Sequence, residues 1–151
     1  MDKVEIKRIN PLDEASSLLP LLQANWAESG NPFDFIPEDV RATYTFFNNN
    51  DALFGVAAYQ GDEMVGYCIV TLHPHPLNRS VKICNADGLF LKPELRGGTI
   101  SGRMMAGIKD IASEHNATII HWHAPAGSSF GDVLASRMEL MSTYYREVLP
   151  C

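Results

Sequence analysis

Leu89-Phe90-Leu91-Lys92-Pro93-Glu94-Leu95-Arg96-Gly97-Gly98-Thr99-Ile100-Ser101-Gly102-Arg103-Met104-Met105 is the stretch on which the reading of this sequence turns. It begins as the end of an apolar strand, passes Pro93, and enters a run of small residues from Gly97 to Gly102 broken only by Ile100. It then continues into a helix whose Ile100, Met104, Ile108 and Ile111 fall on one apolar stripe. Small residues let a ligand approach the backbone closely. A helix start carries unpaired N–H groups and a partial positive charge, so this strand, turn and helix suit a phosphate or diphosphate. Arg96 adds a forked cation. The same glycines also suit a plain tight connection, and local composition does not separate the two readings. Neither GxxxxGKS/T nor GxGxxG occurs here.

Upstream of this stretch, Lys3 to Ile9 sets Val4 and Ile6 on one side of a strand and charges on the other. Asn10 can cap a helix with Pro11 and Asp13 in its first turn and Leu12, Ala15, Leu19, Leu22 and Trp26 at helical spacing. Pro20 is expected to kink that helix or split it in two. A second helix is predicted to open at Pro37-Glu38-Asp39, to carry Val40, Tyr44 and Phe47, and to end in the run from Asn48 to Asp51. Residues 52–59 and 63–72 read as two strands around Gln60-Gly61-Asp62, a hairpin whose loop is slightly longer than two residues. His73 to Asn78 reads as a loop, and about 80–91 as a third long strand. Downstream of the glycine-rich turn and its helix come a short apolar strand from Ala117 to His123, a Pro-Ala-Gly loop, a brief helix near 128–138 and a last strand from Met141 to Leu149. This order combines an antiparallel meander with a β-α-β crossover. The fold class it implies is α/β (α+β), a mixed, mainly antiparallel sheet flanked by helices.

The 151 residues fit one domain, 1–151, with no repeat, low-complexity tract or linker. A composition of 46% hydrophobic and 20% charged residues is that of an ordinary globular protein. No apolar run approaches the length needed to cross a membrane, and the first ten residues alternate charged and apolar instead of forming a signal peptide. A cytoplasmic protein with no membrane partner is therefore expected. Cys68, Cys84 and Cys151 show no CxxC spacing, so reduced thiols are the default. A net charge of −6 with no basic stripe argues against nucleic acid and mildly favours a cationic partner.

The stretch from Leu89 to Met105 resembles the acetyl-CoA signature of the GNAT (GCN5-related N-acetyltransferase) superfamily: a strand, a proline-containing turn, then Arg/Gln-x-x-Gly-x-Gly/Ala and an apolar helix. Arg96 takes the first position of that motif, while Thr99 and Ser101 stand where the family usually has Gly and Gly or Ala. The order of elements over nearly the whole chain is also similar. The resemblance implies a GNAT acyl-CoA N-acyltransferase fold and transfer of an acetyl group from acetyl-CoA, as co-substrate and without a metal, to a primary amine by direct attack in a ternary complex. In the coenzyme site so implied, the segment Leu89, Phe90 and Leu91 pairs with the pantetheine arm through the main chain of Leu89 and Leu91. The amides of Gly97, Gly98, Thr99, Ile100, Ser101 and Gly102 hold the pyrophosphate, with Arg96 beside them. The acceptor is a small-molecule or peptide amine, and a homodimer is possible by analogy. The C-terminal part departs from the family pattern, since Arg137 to Leu140 matches it loosely and Ala135 stands about where a tyrosine general acid often lies.

Acyl transfer to an amine needs a neutral nitrogen, a stabilised oxyanion and a protonated leaving thiolate. Period-two alternation over 80–91 puts Val81, Ile83, Asn85, Asp87, Leu89 and Leu91 on one face, so Asn85 and Asp87 interrupt an apolar stripe. Asp87 is the candidate base, through water, with Asn85 orienting acceptor or water; the alternative is that both simply bond neighbouring backbone. His121 and His123 share a face of the short strand, and either imidazole could take a proton. Tyr144 and Tyr145 are candidates to protonate the thiolate, although tyrosine is also an ordinary strand residue. Two rival readings follow from the same residues. The pairs His73-Pro-His75 and His121-Trp-His123 resemble metal ligands, but no carboxylate follows the second pair from Ala124 to Ser128. A binding module that keeps the fold without the chemistry is the other.

Overall fold

The computed structural model describes residues 3–150, so Cys151 and the first two residues of the N-terminal stretch lie outside it. Five strands form one sheet in the order β1-β2-β3-β4-β5: β1 (Val4–Ile9), β2 (Leu53–Gln60), β3 (Glu63–His75), β4 (Asn78–Leu91) and β5 (Ile119–Trp122). Every pairing is antiparallel except β4 with β5, which is parallel because helix α3 (Ile100–Glu114) carries the chain back across the sheet. Helices α1 (Ala15–Glu28) and α2 (Pro37–Asn49) join β1 to β2, and α4 (Ser129–Ala135) follows β5. The mixed, mainly antiparallel sheet flanked by helices is the architecture expected.

The sheet has a core on each face. Under α3, Met104, Ile108 and Ile111 pack on Val56, Val70, Cys84 and Ala86. Under α1 and α2, Leu18, Leu21 and Tyr44 pack on Leu53, Tyr67 and Phe90. Burying side chains of this size contributes about 1.5–3 kcal/mol each, which holds the helices to the sheet. Cys68 and Cys84 are free thiols in the α3-side core, and burial pushes Cys84 up to about 11. Among the described residues no helix is long and apolar enough to cross a membrane.

Several expectations are corrected. Pro20 does not split α1; its ring faces solvent, and Leu18 and Leu21 hold the helix on either side of it. The buried face of α1 accordingly runs through Ala15, Leu18 and Leu21 instead of Leu19 and Trp26. Asn10 does cap, its Oδ1 accepting from the N–H groups of Leu12 (2.9 Å) and Asp13 (3.3 Å), but a turn precedes the regular helix. The β2–β3 hairpin closes through two residues, Gly61 and Asp62, because Gly61 takes a φ of +62° that a tight turn requires. His73 to His75 is strand, not loop: β3 continues to His75 and turns back into β4 at Asn78, with the Leu77 N–H donating to His75 Nδ1 (3.0 Å). The strand expected from Met141 to Leu149 does not form, and residues 139–150 carry no regular structure. An alternating pattern makes a strand only beside a partner edge, and this segment pairs with none among the described residues.

The β3–β4 register slips by one residue. Ile69 lies opposite Gly88 and Thr71 opposite Asn85, so the single residue Val70 faces both Ala86 and Asp87. This β-bulge reverses the inside–outside alternation of β4. Asn85 therefore does not share a face with Leu89 and Leu91. Those leucines pack on the α3 side, whereas Phe90 packs under α1 and α2.

Candidate active site

Because β5 is short, its pairing with β4 ends at Ala86 opposite Trp122, and β4 runs on to Leu91 with a free edge. The hydrogen bond from the Lys92 N–H to Val65 O (3.0 Å) sets the phase of the ladder. Residues in that phase, Phe90 and Gly88, bond to β3, so the main-chain groups of Leu89 and Leu91 point to the free edge. A short turn, Pro93–Leu95, leads from there to Arg96 and the glycine run.

None of the main-chain N–H groups from Gly97 to Gly102 meets an acceptor among the described residues. Gly97 adopts a φ of +89°, a conformation that justifies glycine by itself. Gly98 and Gly102 have no such requirement, and a Cβ on either would find no atom within 4 Å. The fold does not need these two to be glycine, so the open space above them is what their size preserves. Arg96 is engaged elsewhere than expected: its Nε donates to Leu91 O (2.7 Å), its Nη2 to Glu28 Oε1 and Oε2 (2.9 and 3.0 Å), and its guanidinium lies 5.3 Å from the Phe90 ring centre. It ties the end of β4 to the end of α1.

On the other side of the bulge, Asn85, Asp87 and His123 form one network. Asn85 Nδ2 donates to Asp87 Oδ2 (2.8 Å), which leaves Asn85 Oδ1 toward His123 Nε2 at 3.0 Å; Asp87 Oδ1 is 3.4 Å from the same nitrogen. Two acceptors facing Nε2 favour the donor role for that nitrogen, and Nδ1 meets no partner among the described residues. Asn85, Asp87 and His123 line a cavity of about 470 Å³ together with His121, His73 and Tyr144, whose ring centre is 6.2 Å from that of His123. Tyr145 is 92% exposed and joins none of this. Among the described residues no group of three or more His, Cys, Asp or Glu side chains is arranged to hold a metal ion.

A second cavity, of about 490 Å³, opens between α1, α2 and the sheet, with Asn85, Asp87 and Gly88 of β4 in its wall. Of its wall residues only Asn85 and Asp87 stand out in the sequence as site candidates, because the cavity is assembled from α1, the loop after it, α2 and three strands. Tyr67 stands in its wall, its hydroxyl accepting from Asn25 Nδ2 (2.8 Å), and burial pushes its phenol up to about 12. The two cavities meet at Asn85 and Asp87.

Residues 18–128 match the Acetyltransferase (GNAT) family, and the chain belongs to that family of N-acetyltransferases. No curated protein matches the sequence. Among solved structures, a ribosomal-protein-alanine N-acetyltransferase from Brucella melitensis biovar Abortus 2308 is 20% identical with a TM-score of 0.70, over 98% of this chain and 99% of that one. A predicted acetyltransferase from Clostridium acetobutylicum with acetyl-CoA is 14% identical with a TM-score of 0.79, over 97% and 96%. An aminoglycoside acetyltransferase from an uncultured soil metagenomic sample, in complex with sisomicin, is 14% identical with a TM-score of 0.71, over 97% of each.

Proposed function

We propose that this chain, as one domain acting in the cytoplasm, transfers an acetyl group from acetyl-CoA to a primary amine by direct attack in a ternary complex. The observation that carries the reading is the run of unengaged amides from Gly97 to Gly102 beside a free β4 edge. The amides hold the coenzyme diphosphate at the start of α3, where the helix dipole adds to them. The outward main-chain groups of Leu89 and the N–H of Leu91, whose carbonyl Arg96 already engages, hold the pantetheine arm as an added half-strand in the opening between β4 and β5. Bound there, acetyl-CoA supplies an activated thioester next to the bulge.

The acceptor enters from the α1–α2 side, so that amine and thioester meet at Asn85 and Asp87. Asp87 takes the ammonium proton through water, and Asn85 and the Nε2–H of His123 fix its carboxylate in place. The Nδ1 of His123 is a second proton acceptor, and His121 lines the same cavity. The outward Leu89 N–H polarises the thioester carbonyl. Tyr144, an exposed phenol that lines the same cavity as His123, returns a proton to the thiolate.

The test is a thermal-shift measurement with acetyl-CoA and CoA on wild type and Gly98→Val, followed by thiol release over a panel of amines. A valine at 98 meets no protein atom at its Cβ but fills the space the diphosphate needs. Both ligands should raise the wild-type Tm by several degrees and leave the folded variant unmoved. A flat wild-type response at saturating coenzyme overturns the reading; binding without turnover of any amine reduces it to a coenzyme-binding module.

A further inference from the structure

The walls of the 490 Å³ cavity specify more than an amine. Trp26, Phe35, Val40, Tyr44 and Phe47 form an apolar, largely aromatic lining between α1, α2 and the loop that joins them. The loop is braced in place, since Trp26 Nε1 donates to Phe33 O (2.8 Å) and the rings of Trp26 and Phe35 pack at 6.3 Å. The charged lining residues are all acidic: Asp34 and Asp39 from the α1–α2 side and Asp87 from β4, with no Lys, Arg or His among the residues that line it. The amide side chains there are already engaged, Asn25 by the Tyr67 hydroxyl and Asn85 by Asp87 and His123.

A site of this volume encloses a small molecule. Carboxylates without a balancing cation call for a positively charged ligand, and flat rings favour an aromatic body through edge and face contacts. A ligand studded with hydroxyls would find as partners only the three carboxylates and the scattered hydroxyls of Ser29, Thr43, Tyr44, Tyr67 and Thr71, and against the aromatic stretch of wall it would lose water without replacing it. We infer that the acceptor is a primary arylalkylamine, its ring among Trp26, Phe35, Tyr44 and Phe47 and its ammonium at Asp87, and that aminoglycosides and peptide N-termini are poor acceptors. The inference rests on the transferase reading for the meaning of the site, but not for the binding.

Isothermal titration of the full chain with 2-phenylethylamine, tryptamine, sisomicin and an Ala-Ala dipeptide amide, without coenzyme, tests it directly. The two arylalkylamines should bind saturably and at least about tenfold more tightly than the other two, a discrimination that apolar pockets reach. Phe35→Ala, a loop change that leaves the core intact, should weaken tryptamine about tenfold, and Asp39→Asn about threefold. Tighter binding of sisomicin or the dipeptide, no saturable binding of either arylalkylamine, or unchanged affinity in both variants overturns the inference. Because the titration contains no acetyl-CoA, a failure of coenzyme binding sinks the transferase reading and leaves this result standing.

Discussion

Asn85 and Asp87 attract notice in the sequence because polar side chains interrupt an apolar strand, and the structure gives them a shared partner that no spacing announces. His123 lies 36 residues on, which is 123 less 87, and reaches them only through the parallel register that sets Asn85 beside His121. Asp87→Asn keeps the shape and removes the proton acceptor; kcat with acetyl-CoA and amine should fall about 10²-fold, as expected for loss of a general base, with the coenzyme KM little changed and the amine KM raised by the lost charge. A fall in coenzyme or amine affinity with unchanged kcat would instead make Asp87 a binding residue. Tyr67 gives a prediction in pH. Its phenol is held at about 12 against an ordinary 10.0, so the folded state keeps a proton that the unfolded chain loses first. That stability is complete below pH 10 and declines as pH rises toward 12, by roughly 2–3 kcal/mol at most. Urea melts at pH 8.5, 10 and 11 should show the decline in wild type and a shallower one in Tyr67→Phe.

Among the elements, α3 was the most legible, because its stripe of Ile100, Met104, Ile108 and Ile111 follows the helical period that the sheet then buries. Met104 is fully buried, and Met104→Ala should cost about 2–5 kcal/mol by urea melts, the range for cavities of this kind. Pro20 shows the limit of a local rule: it removes one hydrogen bond on the solvent side, and the buried leucines of α1 outweigh that loss. The final strand shows the converse limit. Alternation from Met141 to Leu149 is a local signal, whereas a strand is a relation to a neighbour. The segment instead passes His123 at Tyr144 and approaches Gly30 O and Asn31 Oδ1 with Arg146, at 3.4 and 3.5 Å.

The molecule as a whole carries −6, and its cavity lining repeats that sign. A cationic acceptor is drawn by both, so kcat/KM for the amine should fall several-fold between 50 and 500 mM salt, as screening shortens the reach of these charges. An unchanged value would confine the attraction to direct contact. Helical and strand periods, proline and glycine punctuation and the small-residue turn determined from the sequence alone most of the helices and strands, their mixed class and the turn whose amides the fold leaves free, because each depends on residues a few positions apart. The one-residue slip opposite Val70, the meeting of His123 with Asp87, the engagement of Arg96 by Glu28 and the aromatic cavity were decided only by tertiary structure. Each joins residues from separate elements, and a strand's register or a cavity wall exists only once several elements have packed together.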